Sequence, residues 1–421
     1  MDKFVINGGK KLTGSVEISG AKNASLALMP AALLASGKST FNSTPKLNDV
    51  YTMMKLLNHI GVESSFENHI MKLDASKITS FEAPYEHVKK MRASVYVLGP
   101  LLTRFGYAKV SLPGGCAWGP RPINLHLEGL KKLGADIELD AGYIIAKASR
   151  LHGAKINFDI SSVGATGNIM MAAVLAKGTT VINNAAMEPE ITNLADYLTK
   201  MGAKIDGIGT SLITIEGVDE LKAAEINTIA DRIEAGTILT AGAITNGRIT
   251  IGNVTPNLMD AVLLKLEDSG CIINLSGEKI SLNAENNEIK PADVMTSIFP
   301  GFPTDMQAQW TAYMALATGT STVTDSIYID RFKHVPELQR LGADIDVNEN
   351  RAVIKGVKKL QGAKVMSTDL RASASLLLAG LVAEGTTEVL RVYHIDRGYQ
   401  RIEEKLGQLG AAIERVAGEE F

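Results

Sequence analysis

Residues 170–217 read MMAAVLAKGTTVINNAAMEPEITNLADYLTKMGAKIDGIGTSLITIEG. The first segment is apolar and ends on Gly178, a residue type favoured at helix C-termini because it tolerates positive φ. TTVINNA is short and β-branched, as a strand would be. EITNLADYLTKMG spaces its apolar residues three and four apart, which predicts an amphipathic helix ending at Gly202. AKIDGIGTSLITIEG alternates apolar and polar residues around a glycine turn, which predicts two paired strands. The unit is therefore α-β-α-β-β, with a further strand near its boundary.

This unit recurs along the whole chain of 421 residues. The amphipathic helix ends as LNHIG at Gly61, LKKLG at Gly134, LTKMG at Gly202, LEDSG at Gly270, LQRLG at Gly342 and LGQLG at Gly410. A second glycine closes the apolar segment at Gly37, Gly106, Gly178, Gly247, Gly319 and Gly385. Both markers keep a period of about 70 residues, so six units account for the chain. The segments LALMPAALLASG, NIMMAAVLAKG and SLLLAGLVAEG have no polar face and should be buried. Buried helices with sheets outside suit closed domains better than an extended solenoid. We expect an α/β fold of two domains with three units each. One spans residues 22–229; the other joins residues 1–21 to residues 230–421 and is completed by a first strand around Phe4–Ile18.

Hydrophobic residues make up 45% of the chain and charged residues 21%, enough apolar material for such cores. The net charge of −3 argues against nucleic acid as the main ligand. No apolar run is long enough to span a membrane. MDKFVINGG is not a signal peptide, and two cysteines, Cys116 and Cys271, are no disulfide framework, so a cytoplasmic location is expected. The histidines lack metal-ligand spacing, and neither metal nor cofactor is expected.

Registering the units on the second glycine brings one position near each buried helix start together. It is occupied by Lys22, Arg92, Gly164, Arg232, Asp305 and Arg371. Gly164 lies in the glycine-rich turn SSVGATG. Helix starts carry unpaired N–H groups and partial positive charge, so added cations make sense around an anionic ligand. Asp305, a carboxylate in that cationic set, is a candidate base or hydroxyl ligand. A second register follows the next strand. It holds Cys116 and Arg121, then Arg331 and Arg397, the last two each within Ile-Asp-Arg. The loop SLPGGCAWGPRPINLH exposes Cys116 near Arg121, a setting that favours thiolate. Cys271, in DSGCIINL, reads as a small core residue. GKST at Gly37–Thr40 follows a helix and lacks the earlier glycine of a phosphate-binding loop.

PGGCAWGPRPINLHLEGLKKLGA, SGAKNA, FPTDMQAQ, DLRASASLLLAG and HIDRGYQRIEEKLGQLGA together resemble the UDP-N-acetylglucosamine 1-carboxyvinyltransferase family, enolpyruvyl transferases of the EPSP synthase superfamily. The resemblance runs the length of the chain. It implies an inside-out α/β barrel fold with three repeats in each of two domains. It also implies transfer of the enolpyruvyl group of phosphoenolpyruvate to the 3-hydroxyl of UDP-N-acetylglucosamine, with release of phosphate. This commits material to peptidoglycan, and so to cell shape and division.

By the same resemblance, Lys22, Arg121 and Arg397 contact phosphoenolpyruvate, and Arg331 and Arg371 complete the positive pocket around its carboxylate. Asn23 bonds the reacting hydroxyl region. Arg92, the run Arg121, Pro122, Ile123, Asn124 and Leu125, the run Ser161, Ser162, Val163 and Gly164, and Asp305 and Ile327 match the nucleotide-sugar site. Cys116 matches a lid cysteine that adds to phosphoenolpyruvate and is the target of fosfomycin. Asp305 matches the proposed base for the sugar hydroxyl. The chain departs from the family at Asn124, often Asp, and at Ile160, often Lys. Rival readings are the sister shikimate-pathway enolpyruvyl transferase and a nucleotide-sugar-binding paralogue without turnover.

Lys22, Arg92, Cys116 and Arg121 fall in the first expected domain, and Asp305, Arg331, Arg371 and Arg397 in the second. Sharing of one site between them implies closure. Small-angle scattering should show a more compact particle with saturating UDP-N-acetylglucosamine; identical profiles would contradict closure.

Overall fold

The computed structural model describes residues 2–89, 91–112 and 123–418. Cys116, Arg121 and Pro122 lie outside the described residues. The chain divides into two compact units, Gly20–Ile229 and Met1–Ser19 with Ala230–Phe421. Each unit has its own hydrophobic core.

The repeat translates into sheets of one pattern. In Gly20–Ile229, one four-stranded sheet runs Glu225–Asn227, Lys38–Asn42, Ile70–Asp74, Glu63–Glu67. Its first pair is parallel and the others antiparallel. The next sheets repeat this order with Glu82–Ala83, Tyr107–Ser111, Tyr143–Lys147, Asp136–Asp140 and with Lys155–Asn157, Thr179–Asn183, Leu212–Glu216, Lys204–Asp206. The added strand comes from the end of the preceding repeat. Glu225–Asn227, at the end of the third, pairs with the first, and this closes the unit on itself.

The other unit has three more such sheets, and here the expectation of a single strand over Phe4–Ile18 is corrected. Two strands occur, and they join different sheets. Asp2–Asn7 lies between Thr386–Leu390 and Ala412–Ala417, antiparallel to both. Thr13–Glu17 pairs in parallel with Arg248–Gly252. The break falls at Gly8-Gly9, where a Cβ on Gly8 would stand 2.1 Å from the Ala383 carbonyl oxygen.

Side-chain periodicity explains the layers. In Leu212–Glu216 only Ile213 and Ile215 are buried, the one-face pattern of a strand that covers a core. Every residue of Gln307–Met314 is buried, as is every residue from Ile233 to Ile244 in Arg232–Ile244. Such helices must lie inside, and the sheets cover them. Trp310, fully buried, donates its indole N–H to the Ala292 carbonyl at 3.0 Å.

The six glycines that end the amphipathic helices all take positive φ, between 95° at Gly342 and 113° at Gly61. The second set differs from the expectation of a helix cap. Only Gly106 directly caps its helix in left-handed geometry. The other buried helices end before their glycine, which lies in the turn to the strand; at Gly247 the left-handed position passes to Asn246, φ 50°.

Gly217 follows the last strand of its repeat, and a Cβ there would fall 1.7 Å from the Ala176 carbonyl oxygen. Gly407, inside the helix Ile402–Gln408, has open space around it. Gly217→Ala should lower unfolding stability by about 2 kcal/mol or more, whereas Gly407→Ala should raise it by about 0.5–1 kcal/mol, both read by urea denaturation.

Candidate active site

Phe302 and Pro303 lead into a single 3-10 turn, Thr304–Met306, that feeds the buried helix Gln307–Met314. This turn carries Asp305. Arg331 donates from Nη2 to Asp305 Oδ1 at 2.7 Å, and Arg371 donates from Nη2 to Oδ2 at 2.8 Å. One carboxylate thus joins two guanidinium groups. Both arginines are buried, at 6% and 4% exposure. Burial alone would raise the Asp305 carboxyl, but the charges of Arg371 and Arg331 and their hydrogen bonds outweigh it and hold the group well below the usual carboxylate range.

The network continues inward. Arg331 Nη1 donates to Thr304 Oγ1 at 2.8 Å, and that hydroxyl donates to Asp325 Oδ2 at 2.7 Å. Asp325, fully buried, accepts at Oδ1 from Thr296 Oγ1 and from the backbone N–H groups of Ile327 and Tyr328. Asp305, Ile327, Arg331 and Arg371 are therefore one assembly. On the far side, the Arg371 guanidinium lies 5.4 Å from the Tyr399 ring centre, and the Tyr399 hydroxyl meets Thr237 Oγ1 at 2.9 Å. Gln309 Nε2 donates to that Tyr399 hydroxyl and to the Asp305 carbonyl. The backbone N–H of Arg371 is capped by Asp369 Oδ1, which fixes the helix start beneath it. Arg397 ends the turn Val392–Arg397, and a Cβ on the adjacent Gly398 would stand 2.6 Å from Leu370, so the turn packs closely on the Arg371 helix.

A second group forms in Gly20–Ile229. Lys22 opens the helix Lys22–Ala31 and pairs with the buried Asp49 at 3.0 Å. Asn23 beside it is exposed. Arg92 opens the 3-10 segment Arg92–Val97. Ile123 caps the helix Asn124–Lys132, whose first turn holds Asn124 and Leu125. Ser161 and Ser162 precede the helix Val163–Ala173, and Ser162 Oγ accepts from the Ala165 N–H. The glycine-rich SSVGATG segment is therefore a capped helix start, with Gly164 in its first turn.

His126 ties these pieces together. Asn168 Nδ2 faces His126 Nδ1 at 3.0 Å and also donates to the Val95 carbonyl, while Asn168 Oδ1 accepts from the Gly99 N–H. With the amide N–H directed at Nδ1, the imidazole proton belongs on Nε2. A Cβ on Gly164 would lie 3.0 Å from that nitrogen, so the ring and the helix start pack tightly and a larger residue would push them apart by a few tenths of an ångström. Burial, aided by the Arg92 charge, pushes His126 down to about 3. It is a neutral spacer between the Arg92 segment, the Asn124 helix and the Ser162 turn.

Asp49, Thr304, Asp325 and Asn168 escaped the sequence reading, since each acts through partners distant in sequence. His126 had a signal: it stands in RPINLH, among the motifs that carried the resemblance.

Each group, within its own unit, places cations at helix starts, a setting that favours anions, and the Asp305 group adds an ionised carboxylate. The fold is that of the enolpyruvyl transferases. The enolpyruvyl transferase NikO from Streptomyces tendae superposes with a TM-score of 0.90 at 24% identity, covering 99% of both chains. EPSP synthase from Acinetobacter baumannii superposes at 0.76 and 17% identity, covering 99% of this chain and 100% of its own. The family profile of EPSP synthase (3-phosphoshikimate 1-carboxyvinyltransferase) matches residues 6–406. Relatives from Chloroherpeton thalassium and Chlorobium phaeovibrioides, both named UDP-N-acetylglucosamine 1-carboxyvinyltransferase, are 59% and 57% identical over 100% of this chain and 99% and 100% of theirs. The chain belongs to the EPSP synthase family, and its sequence stands with the UDP-N-acetylglucosamine 1-carboxyvinyltransferases within it.

A depressed carboxyl contributes stability above its unfolded pKa and loses it as pH falls through the folded one. The Asp305 contribution should therefore persist at pH 4 and disappear only in stronger acid. Asp305→Ala leaves two buried guanidinium groups without their anion and should cost roughly 3 kcal/mol at pH 7, measured by urea denaturation. For His126 the sign follows from a histidine held neutral: stability is full above about 6.5 and falls as acid protonates the unfolded chain. Its ring resonances should not titrate between pH 5 and 8 in NMR spectra.

Proposed function

We propose that the protein transfers the enolpyruvyl group of phosphoenolpyruvate to the 3-hydroxyl of UDP-N-acetylglucosamine and releases phosphate, as a committed step towards peptidoglycan. The observation that carries this reading is the 59% identity, end to end, with a relative of that name. The Asp305 assembly supplies a chemical reason.

The reaction needs three things. A proton goes to the methylene carbon of phosphoenolpyruvate, which leaves an oxocarbenium-like centre. The sugar oxygen attacks that centre as its own proton departs, giving a tetrahedral adduct that carries the phosphate. Phosphate then leaves, and a methyl proton is lost to restore the double bond. An acid, a base and a fixed positive cradle are required.

We assign the phosphate to Lys22, Arg121 and Arg397, and the substrate carboxylate to Arg331 and Arg371. Asp305 is then the base. Doubly paired, it is too weak to take a proton from a sugar hydroxyl. A substrate carboxylate on Arg331 and Arg371 competes for the same guanidinium N–H groups. As those bonds are shared, Asp305 regains basicity, and proton transfer is concerted with attack. Arg92, Asn124, Leu125 and Ser161–Gly164 are assigned to the nucleotide sugar, with Asn23 at the reacting hydroxyl. Cys116 is assigned to the lid, as acid or covalent partner and as the site of fosfomycin addition.

A cytoplasmic enzyme acting on two small anionic substrates fits the protein, and among the described residues no helix is long and apolar enough to cross a membrane. Phosphate release from phosphoenolpyruvate should require UDP-N-acetylglucosamine and stop after fosfomycin treatment. Asp305→Asn should lower kcat by about 10²–10⁴-fold. Nucleotide-sugar binding without phosphate release would mark a binding-only paralogue and overturn the reading.

A further inference from the structure

The tripeptide Ile-Asp-Arg occurs twice, at 329–331 and 395–397, and its two aspartates meet different fates. Asp330 is exposed. Asp396 is gripped by Arg415 of the last strand, which donates from Nη2 at 2.6 Å and from Nη1 at 3.0 Å to its two carboxylate oxygens. The same guanidinium donates from Nε to Glu403 Oε1 at 2.7 Å and reaches Asp2 at 3.4 Å. It lies 4.8 Å from the ring centre of Phe4, the residue opposite Arg415 in the neighbouring strand. A bidentate fork with a third short bond and a ring beneath it has one geometry, unlike a lone surface ion pair.

Asp396 sits in the turn Val392–Arg397, next to Arg397. The segment is bounded by Arg391 and Arg401, both non-glycine residues in the left-handed region at φ 58° and 46°. Such backbone persists only where its surroundings hold it. Ile395 and Tyr399 anchor the buried side of the segment, and the Arg415 fork fixes its part-buried side. The fork also neutralises a carboxylate one residue away from a cation assigned to an anionic substrate.

We propose that Arg415 is a positioning residue for Arg397: by clamping Asp396 it sets the turn from which Arg397 serves the phosphate of phosphoenolpyruvate. This rests on the reading of Arg397 given under the proposed function. Removing the clamp leaves the part-buried side of the turn unfixed and an uncompensated carboxylate beside Arg397, while the nucleotide-sugar residues are untouched.

The test uses the full chain and the variants Arg415→Gln, Arg415→Lys, Asp396→Asn and Arg415→Gln with Asp396→Asn. Steady-state kinetics give KM for each substrate, and calorimetry gives phosphoenolpyruvate affinity in the presence of UDP-N-acetylglucosamine. Arg415→Gln should raise KM for phosphoenolpyruvate about tenfold, with KM for the nucleotide sugar within about twofold of wild type. Arg415→Lys, which keeps charge but not the fork, should fall between. Adding Asp396→Asn to Arg415→Gln should recover part of the loss, so the two changes are not additive. If Arg415→Gln does not fold, Arg415→Lys and Asp396→Asn carry the same comparison. Unchanged phosphoenolpyruvate affinity, or an equal loss for both substrates alongside a lower Tm, would overturn the proposal. Wild type that binds phosphoenolpyruvate without turnover would count against the proposed reaction while leaving the clamp readable by calorimetry. Wild type that binds none would overturn both.

Discussion

A single carboxylate shared between two buried guanidinium groups holds the Asp305 assembly together. Asp305 balances Arg331 and Arg371, and neither arginine could be buried so fully without an anion. The balance also sets the carboxyl far from the basicity expected of a catalytic base. In the reaction we propose, stability and reactivity are opposed at this point, and a substrate carboxylate on Arg331 and Arg371 is the means of changing the terms. The Thr304 hydroxyl, held in turn by Asp325, keeps Arg331 aimed at Asp305, and the Tyr399 ring and Gln309 brace the other side.

The repeat explains how so many charged groups reach helix starts. Each unit contributes one buried helix, and each such helix begins at a corresponding place relative to its sheet. The helix interiors need apolar side chains, so the charges are confined to the first turn. Copying that turn six times offered six positions, which Lys22, Arg92, Gly164, Arg232, Asp305 and Arg371 now occupy. The added parallel strand closes each unit on itself. In one unit that strand comes from Glu225–Asn227, and in the other from the Thr13–Glu17 strand near the N-terminus.

Much of this was legible in the sequence because period and amphipathicity are local properties. The glycines after the amphipathic helices marked every repeat, and apolar helices announced their own burial. The first two strands were read as one because their break is set by the close approach of Gly8 to the Ala383 carbonyl, a contact across nearly the whole chain. The helix starts could be registered, but not the partners they would take: Asp49 for Lys22, and the Arg331–Thr304–Asp325 relay for Asp305. Such contacts depend on which loops the sheets bring together. Gly164 could be registered at a helix start, but its closeness to His126 cannot be seen in a glycine-rich string.

The most direct test of the account is a ¹³C NMR titration of the Asp305 carboxyl, assigned by its loss in Asp305→Asn, with and without phosphoenolpyruvate. The carboxyl should stay ionised well below the ordinary carboxylate range in the free protein and titrate at higher pH once the substrate carboxylate is bound. A carboxyl that titrates normally in the free protein, or one that phosphoenolpyruvate leaves unmoved, would contradict it.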